Sequence, residues 1–180
     1  MTPLLEIVTR CYKRPVMLAA NQASLARQTD HDWRQTLLVD DVGIGVPAAN
    51  ALLADFTPTG RYVWVLDDDD LCTYPEMVYD LRMLEMWHNP DAVFVRFDHG
   101  WIGILPDAHR WRKQPDRGRI GGSSVIVRSD LWMQCRDAWR SGLYESDFDY
   151  VQTVYRAATN PHWHDVIAGK VQRISQGEPE

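Results

Sequence analysis

The chain has 180 residues, 45% apolar and 24% charged, the balance of one globular domain with enough length for a proper core. Its net charge of −6 argues against a general binder of nucleic acid or membrane surfaces. Three widely spaced cysteines (Cys11, Cys72, Cys135) form no CxxC pair and suit reduced thiols rather than a disulfide frame or zinc site.

In chain order, Leu4–Thr9 reads as a strand and Pro15 to about Gln28 as a helix with proline in its first turn. Thr36–Val39 is a second strand ending in Asp40-Asp41. A short helix, Pro47–Asp55, leads to a third strand, Arg61–Leu66, which ends in Asp67-Asp68-Asp69-Asp70. Pro75–Trp87 has near-helical apolar spacing, and Ala92–Phe97 is a fourth strand. This alternation predicts an α/β domain with a mostly parallel, doubly wound, Rossmann-like sheet. The second half is less regular. Gly100–Gly118 is a Pro-, Gly- and Arg-rich excursion, and Ile120–Val127 a strand whose glycines permit close approach. Ser129 is placed to cap a helix to Trp139, Asp147–Ala158 is a helix, Val166–Ile174 a last strand, and Ser175 onward a polar tail. No basic-then-apolar leader opens the chain and no apolar stretch approaches ~18 residues, so a cytoplasmic location is expected.

The acid run carries the chemistry. Four adjacent carboxylates repel one another unless a cation or hydrogen-bond donors offset the charge, and oxygen ligands at this density suit Mg²⁺ or Mn²⁺. The bland alternative is a solvated acidic turn. The strand in front tips the balance to a metal site, because open α/β sheets bind ligands beyond the carboxyl ends of their strands. Asp40-Asp41 ends another strand at the same rim. One acid pair near a ribose or base edge, with another holding a metal on phosphates, suits a nucleoside diphosphate. Gly43-Ile-Gly45 is no phosphate loop, so a Walker-type site is not expected.

At this point the chain resembles a family. Ser24-Leu-x-x-Gln28-Thr29, Trp33 and Leu37-Leu-Val-Asp-Asp41 resemble the "SLxxQTxxxWExIIVDDGS" signature of family 2 glycosyltransferases of GT-A fold. Ile7–Pro15 resembles the opening "IPTYNRP", Ala48-Ala-Asn50 the "ARN", and Gly60–Asp70 the "GxYIxFLDDDD" segment. Gly121-Gly122-Ser123 is similar to the Gly-Gly segment before the acceptor-side helix, and Ser146–Tyr150 with Arg156 to the late "EDxDLxxR". The set covers nearly the whole chain in order.

The resemblance implies a single GT-A domain, residues 1–98 binding the nucleotide sugar and 99–180 facing the acceptor. It implies a hexosyltransferase-like enzyme using a nucleoside diphosphate sugar, UDP-linked by preference, with Mn²⁺ or Mg²⁺. Carried over by position, Thr9, Arg10, Tyr12 and Arg14 form the loop around the donor, and Asp40, Asp41 and Asn50 serve base, ribose or neighbouring contacts. Asp67 and Asp69 fill the DxD positions, with Asp68 beside them. Asp147 matches the base of inverting members. The chemistry agrees: a diphosphate leaving group gains charge that a bound cation stabilises, and the attacking hydroxyl must lose a proton to a carboxylate. A helix N-terminus favours that carboxylate ionised. Two departures weigh against the match: Ala49 stands where "ARN" has arginine, and Ser146 where "ED" has glutamate, which makes Glu145 a rival base.

His162-Trp-His164 puts two imidazoles on one side of an extended segment. The resemblance makes either a candidate metal ligand, and a plain surface pair is the equal alternative. Of eight tryptophans, Trp101, Trp111 and Trp163 lie where an acceptor would bind, while Trp33 and Trp64 read as packing residues. The basic stretch Arg110–Arg119 is open to three readings: a loop closing on the diphosphate, a grip on an anionic acceptor, or a solvated loop. A nucleotidyltransferase is disfavoured, since Thr9–Arg14 is not its Gly-rich loop. A non-catalytic nucleotide-sugar-binding or assembly subunit is the alternative from another class. The acceptor (saccharide, lipid, protein or modified nucleic acid) and the oligomeric state are left open.

Overall fold

In the computed structural model the described residues are 2–40, 46–141 and 146–172. The elements run β1 (Leu5–Cys11), α1 (Pro15–Leu25), β2 (Trp33–Val39), α2 (Val46–Asp55), β3 (Tyr62–Val65), β4 (Asp70–Cys72), α3 (Met77–His88) and β5 (Ala92–Asp98). They continue with β6 (Ile104–Leu105), β7 (Val125–Arg128), α4 (Ser129–Cys135), α5 (Ser146–Ala157) and β8 (Pro161–Val171). One sheet takes all the strands in the order β2-β1-β3-β7-β5-β8-β4, with β6 paired to β5.

Side-chain alternation builds three layers. On β3, Val63 and Val65 face a core with Trp132, Trp139, Tyr150 and Val154. Tyr62 and Trp64 face the other core, with Leu25, Met77, Val78 and Leu81 from α1 and α3. On β5, Phe94 joins the first core and Val93, Val95 and Phe97 the second. A sheet buried on both faces needs such continuous apolar strands. The three cysteines are free and buried, as their spacing implied.

The sheet departs from the expectation of mostly parallel pairing. β1–β2, β1–β3 and β5–β8 are parallel, but β7 runs antiparallel to both β3 and β5, β4 antiparallel to β8, and β6 antiparallel to β5. Strand–helix alternation ceases after β5, so nothing beyond it enforces crossovers of one sense. The last strand begins at Pro161 rather than Val166 and thereby includes both histidines. Ser129 does not cap α4; its hydroxyl donates to the Gly60 carbonyl.

Glu6, pointing off β1 and 1% exposed, is a buried carboxylate with a full set of donors. Arg34 Nη2 (2.6 Å), Thr36 Oγ1 (2.7 Å) and the N–H groups of Thr59 (2.6 Å) and Gly60 (2.8 Å) all donate to it. Burial alone would raise its pKa, but these donors outweigh burial and hold it at about 2. A carboxyl depressed on folding adds stability above its unfolded value and loses it as pH falls toward the folded one. The contribution, about 3 kcal/mol, is therefore complete above about pH 5 and disappears between there and pH 2. Urea unfolding of Glu6→Gln should give a lower midpoint than wild type at pH 7 and nearly the same midpoint at pH 2.5. Equal midpoints at pH 7 would contradict it.

Candidate functional site

Parallel pairing of β1, β2 and β3 delivers their carboxyl ends to one rim. The Asp40 N–H donates to the Cys11 carbonyl at 2.8 Å, and the Asp68 N–H to the Arg10 carbonyl at 3.2 Å. Arg10, Asp40 and the acid run thus meet, as the two acidic strand ends implied. Asp67–Asp69 form a turn and Asp70 starts β4, a short strand that the sequence reading passed over.

Two side-chain amides, one buried and one half-buried, hold this turn. Asn21 of α1, fully buried, donates through Nδ2 to the carbonyls of Asp67 (3.0 Å) and Asp70 (2.9 Å). Its Oδ1 accepts from Gln35 Nε2 at 2.7 Å. From the opposite side, Gln172 donates its N–H to the Asp69 carbonyl (2.6 Å) and its Nε2 to the Asp68 carbonyl (3.0 Å). Sequence reasoning missed both. Asn21 left a trace, a polar residue three before Ser24 on the inward side of α1; Gln172 left none.

The turn's charge is offset by two guanidinium groups. Arg10 makes a bidentate pair with Asp67, with Nε on Oδ1 at 2.8 Å and Nη2 on Oδ2. Its Nη1 donates to Asn50 Oδ1, and the group lies 5.7 Å above the Trp139 ring. Burial works against the charge on Arg10, but Asp67, then Asp147 and Asp69, more than compensate and push its pKa, already high, higher still. Arg14 spans Asp68 and Asp69, reaching Asp69 Oδ2 at 2.7 Å. Asp70 is buried, accepts from Ser123 Oγ at 2.9 Å and from the Asp67 N–H at 3.3 Å, and burial with Asp67 and Asp69 nearby pushes its carboxyl well above the usual range.

Oxygens of Asp67, Asp69 and Asp70 lie within 4.8 Å of one another. A hard divalent ion fits this all-oxygen donor set, with Arg10 and Arg14 competing for the same carboxylates. Asp68 is different. Its side chain is fully shielded, bound to Arg14 and to the Tyr12 N–H at 3.3 Å, and burial raises its carboxyl. It anchors the Tyr12–Arg14 loop and is a poor donor to any ligand, contrary to its expected place among the contacts.

Asp147, half-buried in the first turn of α5, closes the site from the second half of the chain. A Cβ on Gly121 would stand 3.2 Å from its Oδ2, and one on Gly122 would stand 2.7 Å from the Trp139 ring and 3.7 Å from the Asp147 Cβ. The Gly-Gly segment therefore lets the backbone pass between Asp147 and the Trp139 ring on which Arg10 rests. Asp149 points elsewhere, paired to Arg117 at 3.1 Å.

Other expected site residues fall differently. Thr9 is fully buried and accepts from Gln35 Nε2 at 2.8 Å, so its side chain supports the Asn21 network rather than a ligand. Tyr12 is exposed, with the Lys13 ammonium 5.1 Å from its ring. Asp41 and Glu145 lie outside the described residues. The metal role considered for His162 and His164 is overturned. Asp70 pairs with Val171 at one end of β8, and the histidines lie at the other; seven residues of strand span roughly 23 Å. His164 Nε2 meets Asp80 Oδ2 at 2.8 Å, while His162 stacks on His88 at 5.3 Å. Burial, then His88, His164 and Arg112, holds His162 below the usual histidine range. Trp163 stacks on Phe94 at 4.5 Å and Trp111 lies edge-on to it at 5.0 Å, so of the three acceptor-side tryptophans only Trp101 is widely exposed, at 88%.

No family model matches the chain, and no curated protein does. Solved structures do. S. aureus TarS 1–349 in complex with UDP-GlcNAc superposes with TM-score 0.68 at 15% identity, covering 99% of this chain and 60% of that one. The UDP complex of the same protein gives 0.66 at 15% identity, over 96% and 61%. A197 from STIV gives 0.54 at 12% identity, over 97% and 87%. The chain shares the fold of TarS, a GT-A-like α/β architecture, and spans about 60% of the length of TarS 1–349. Among the described residues no helix is long and apolar enough to cross a membrane.

Proposed function

We propose that the chain is a glycosyltransferase taking a sugar from a UDP-sugar to an acceptor hydroxyl, with inversion. The observation that carries this reading is the meeting, in one GT-A site, of the Asp67–Asp70 turn, Arg10 and Asp147, which lie on three separate segments of the chain. Residues 1–98 supply the donor side and residues 99–180 the acceptor side. Tyr12 and Asp40, the residues that follow β1 and β2, would contact the nucleotide. Asp67, Asp69 and Asp70 would hold Mn²⁺ or Mg²⁺, which when bound neutralises charge on the departing diphosphate.

The chain's own residues do the rest. Arg10 stands against Asn50, beside Ala49 where the family's arginine is missing, so this guanidinium supplies the cation that position lacks. Preorganised by Asp67 and the Trp139 face, it stabilises negative charge without having to reorient. Asp147 accepts the proton of the acceptor hydroxyl as the new bond forms at the anomeric carbon and the diphosphate leaves.

The test is thermal shift with UDP-GlcNAc, with and without Mn²⁺. At a hundredfold excess over Kd, binding adds about 2.7 kcal/mol, roughly 5–10 °C for a chain of this size. The shift should need Mn²⁺ in wild type and vanish in Asp69→Ala while that variant stays folded. No shift with any UDP-sugar would sink the donor site. A shift indifferent to Mn²⁺ would leave Arg10 and Arg14 as the cations and remove the metal. Binding without transfer would favour the non-catalytic subunit.

A further inference from the structure

The basic stretch Arg110–Arg119 is not a loose loop. β6 pairs with β5 just before it, and Arg117 ties its far end to α5 through Asp149 at 3.1 Å and the Phe148 ring at 4.7 Å. Its middle folds over a shallow pocket lined by Arg110, Lys113, Asp116 and Arg119 above Trp163. The floor is rigid: Trp163 is sandwiched between Phe94 and the edge of Trp111, and Arg96 caps Trp111 at 4.7 Å.

The charges in the pocket do not cancel. Arg110 is spanned by Asp107 (2.5 Å) and Asp116 (3.1 Å). Lys113 and Arg119 are exposed and make no ion pair among the described residues. Two exposed cations that line one pocket with Trp163 stand out in a chain of net charge −6. They are not needed at the donor diphosphate, where Arg10 and Arg14 already stand. Arg119 instead lies two residues before Gly121, which abuts Asp147, so the pocket adjoins the acceptor side of the site.

We propose that this pocket is an acceptor subsite for an anionic group, a phosphate or a carboxylate carried near the hydroxyl that receives the sugar. An arginine fork and a lysine point charge are the pair of groups that fix such an anion in orientation and place. The proposal rests on the transferase reading for the word acceptor, but its test does not.

Three fluorescently labelled probes separate the outcomes: inorganic polyphosphate, an oligogalacturonate and a neutral maltooligosaccharide. Their binding is read by anisotropy at low and moderate salt, without donor. Wild type should bind at least one anionic probe more tightly than the neutral one, with affinity falling as salt rises, and the preferred anion names phosphate or carboxylate. Lys113→Ala with Arg119→Ala should weaken that binding by roughly 100-fold, two charge-assisted contacts being lost. A control removing the same charge elsewhere, Arg128→Ala with Arg140→Ala, should leave it unchanged. The UDP-GlcNAc thermal shift should be the same in the pocket variant as in wild type. Failure of every anionic probe to bind, or equal loss in pocket and control variants, overturns the subsite. Failure of UDP-GlcNAc to bind wild type overturns the donor reading alone.

Discussion

Asp147→Asn is expected to lower sugar transfer about 10²–10⁴-fold, the range a positioned general base supplies, with the UDP-GlcNAc thermal shift unaltered. The carboxylate lies at the start of α5 with one oxygen bonded to its neighbour, the Phe148 N–H, at 2.8 Å. Its other oxygen lies against the Gly121–Gly122 segment and within the field of Arg10. Asparagine keeps the size and one oxygen, so the geometry survives and only the capacity to take a proton is lost. Transfer and UDP-GlcNAc hydrolysis measured together separate the steps, because loss of the acceptor base spares donor binding and leaves KM for the donor nearly constant. A variant within about threefold of wild type would remove Asp147 from the reaction and bring Glu145 forward.

Arg10→Ala should cost about 2–3 kcal/mol of stability and lower Tm by roughly 5–10 °C. Breaking a fully buried ion pair costs about 3–5 kcal/mol; here both partners keep 21% of their side-chain surface in water, which screens part of the effect. The loss has three parts: Asp67 without its fork, Asn50 Oδ1 without a donor, and the bare Trp139 face. Arg10→Lys keeps the charge but not the fork, so it should recover only part of the loss. Because Asp67 is released in Arg10→Ala, Mn²⁺ should raise the Tm of this variant more than it raises that of wild type. A Tm within 2 °C of wild type, or a smaller Mn²⁺ response than wild type, would contradict the competition between Arg10 and the metal for Asp67.

The reach of the sequence can be traced through particular residues. The continuous apolar runs of β3 and β5 read as strands from the sequence alone, and their residues divide between the two cores because side-chain direction in a strand follows from position. The acid turn was legible for the same local reason, an apolar strand ending in four carboxylates. The Gly-Gly segment and the late aspartate were legible as motifs. Partners of the charges were not. The acids suggested a cation, and the cations present are Arg10 and Arg14, which lie 57 and 54–55 positions away in the chain. The histidines failed in the same way. Spacing by two established that His162 and His164 share a side of a strand, but only the register of β8 against β4 and β5 decides at which end of the sheet they stand.

What this sequence determined by itself was periodicity, the order of the motifs and the local density of charge, each a property of a few neighbouring residues. The tertiary structure alone decided which guanidinium meets which carboxylate, that Asn21 and Gln172 clamp the turn, that β7 runs antiparallel, and that Asp147 comes to face Arg10. Each of those joins segments far apart in the chain, and burial then makes an unpaired charge or amide too costly to leave without its partner.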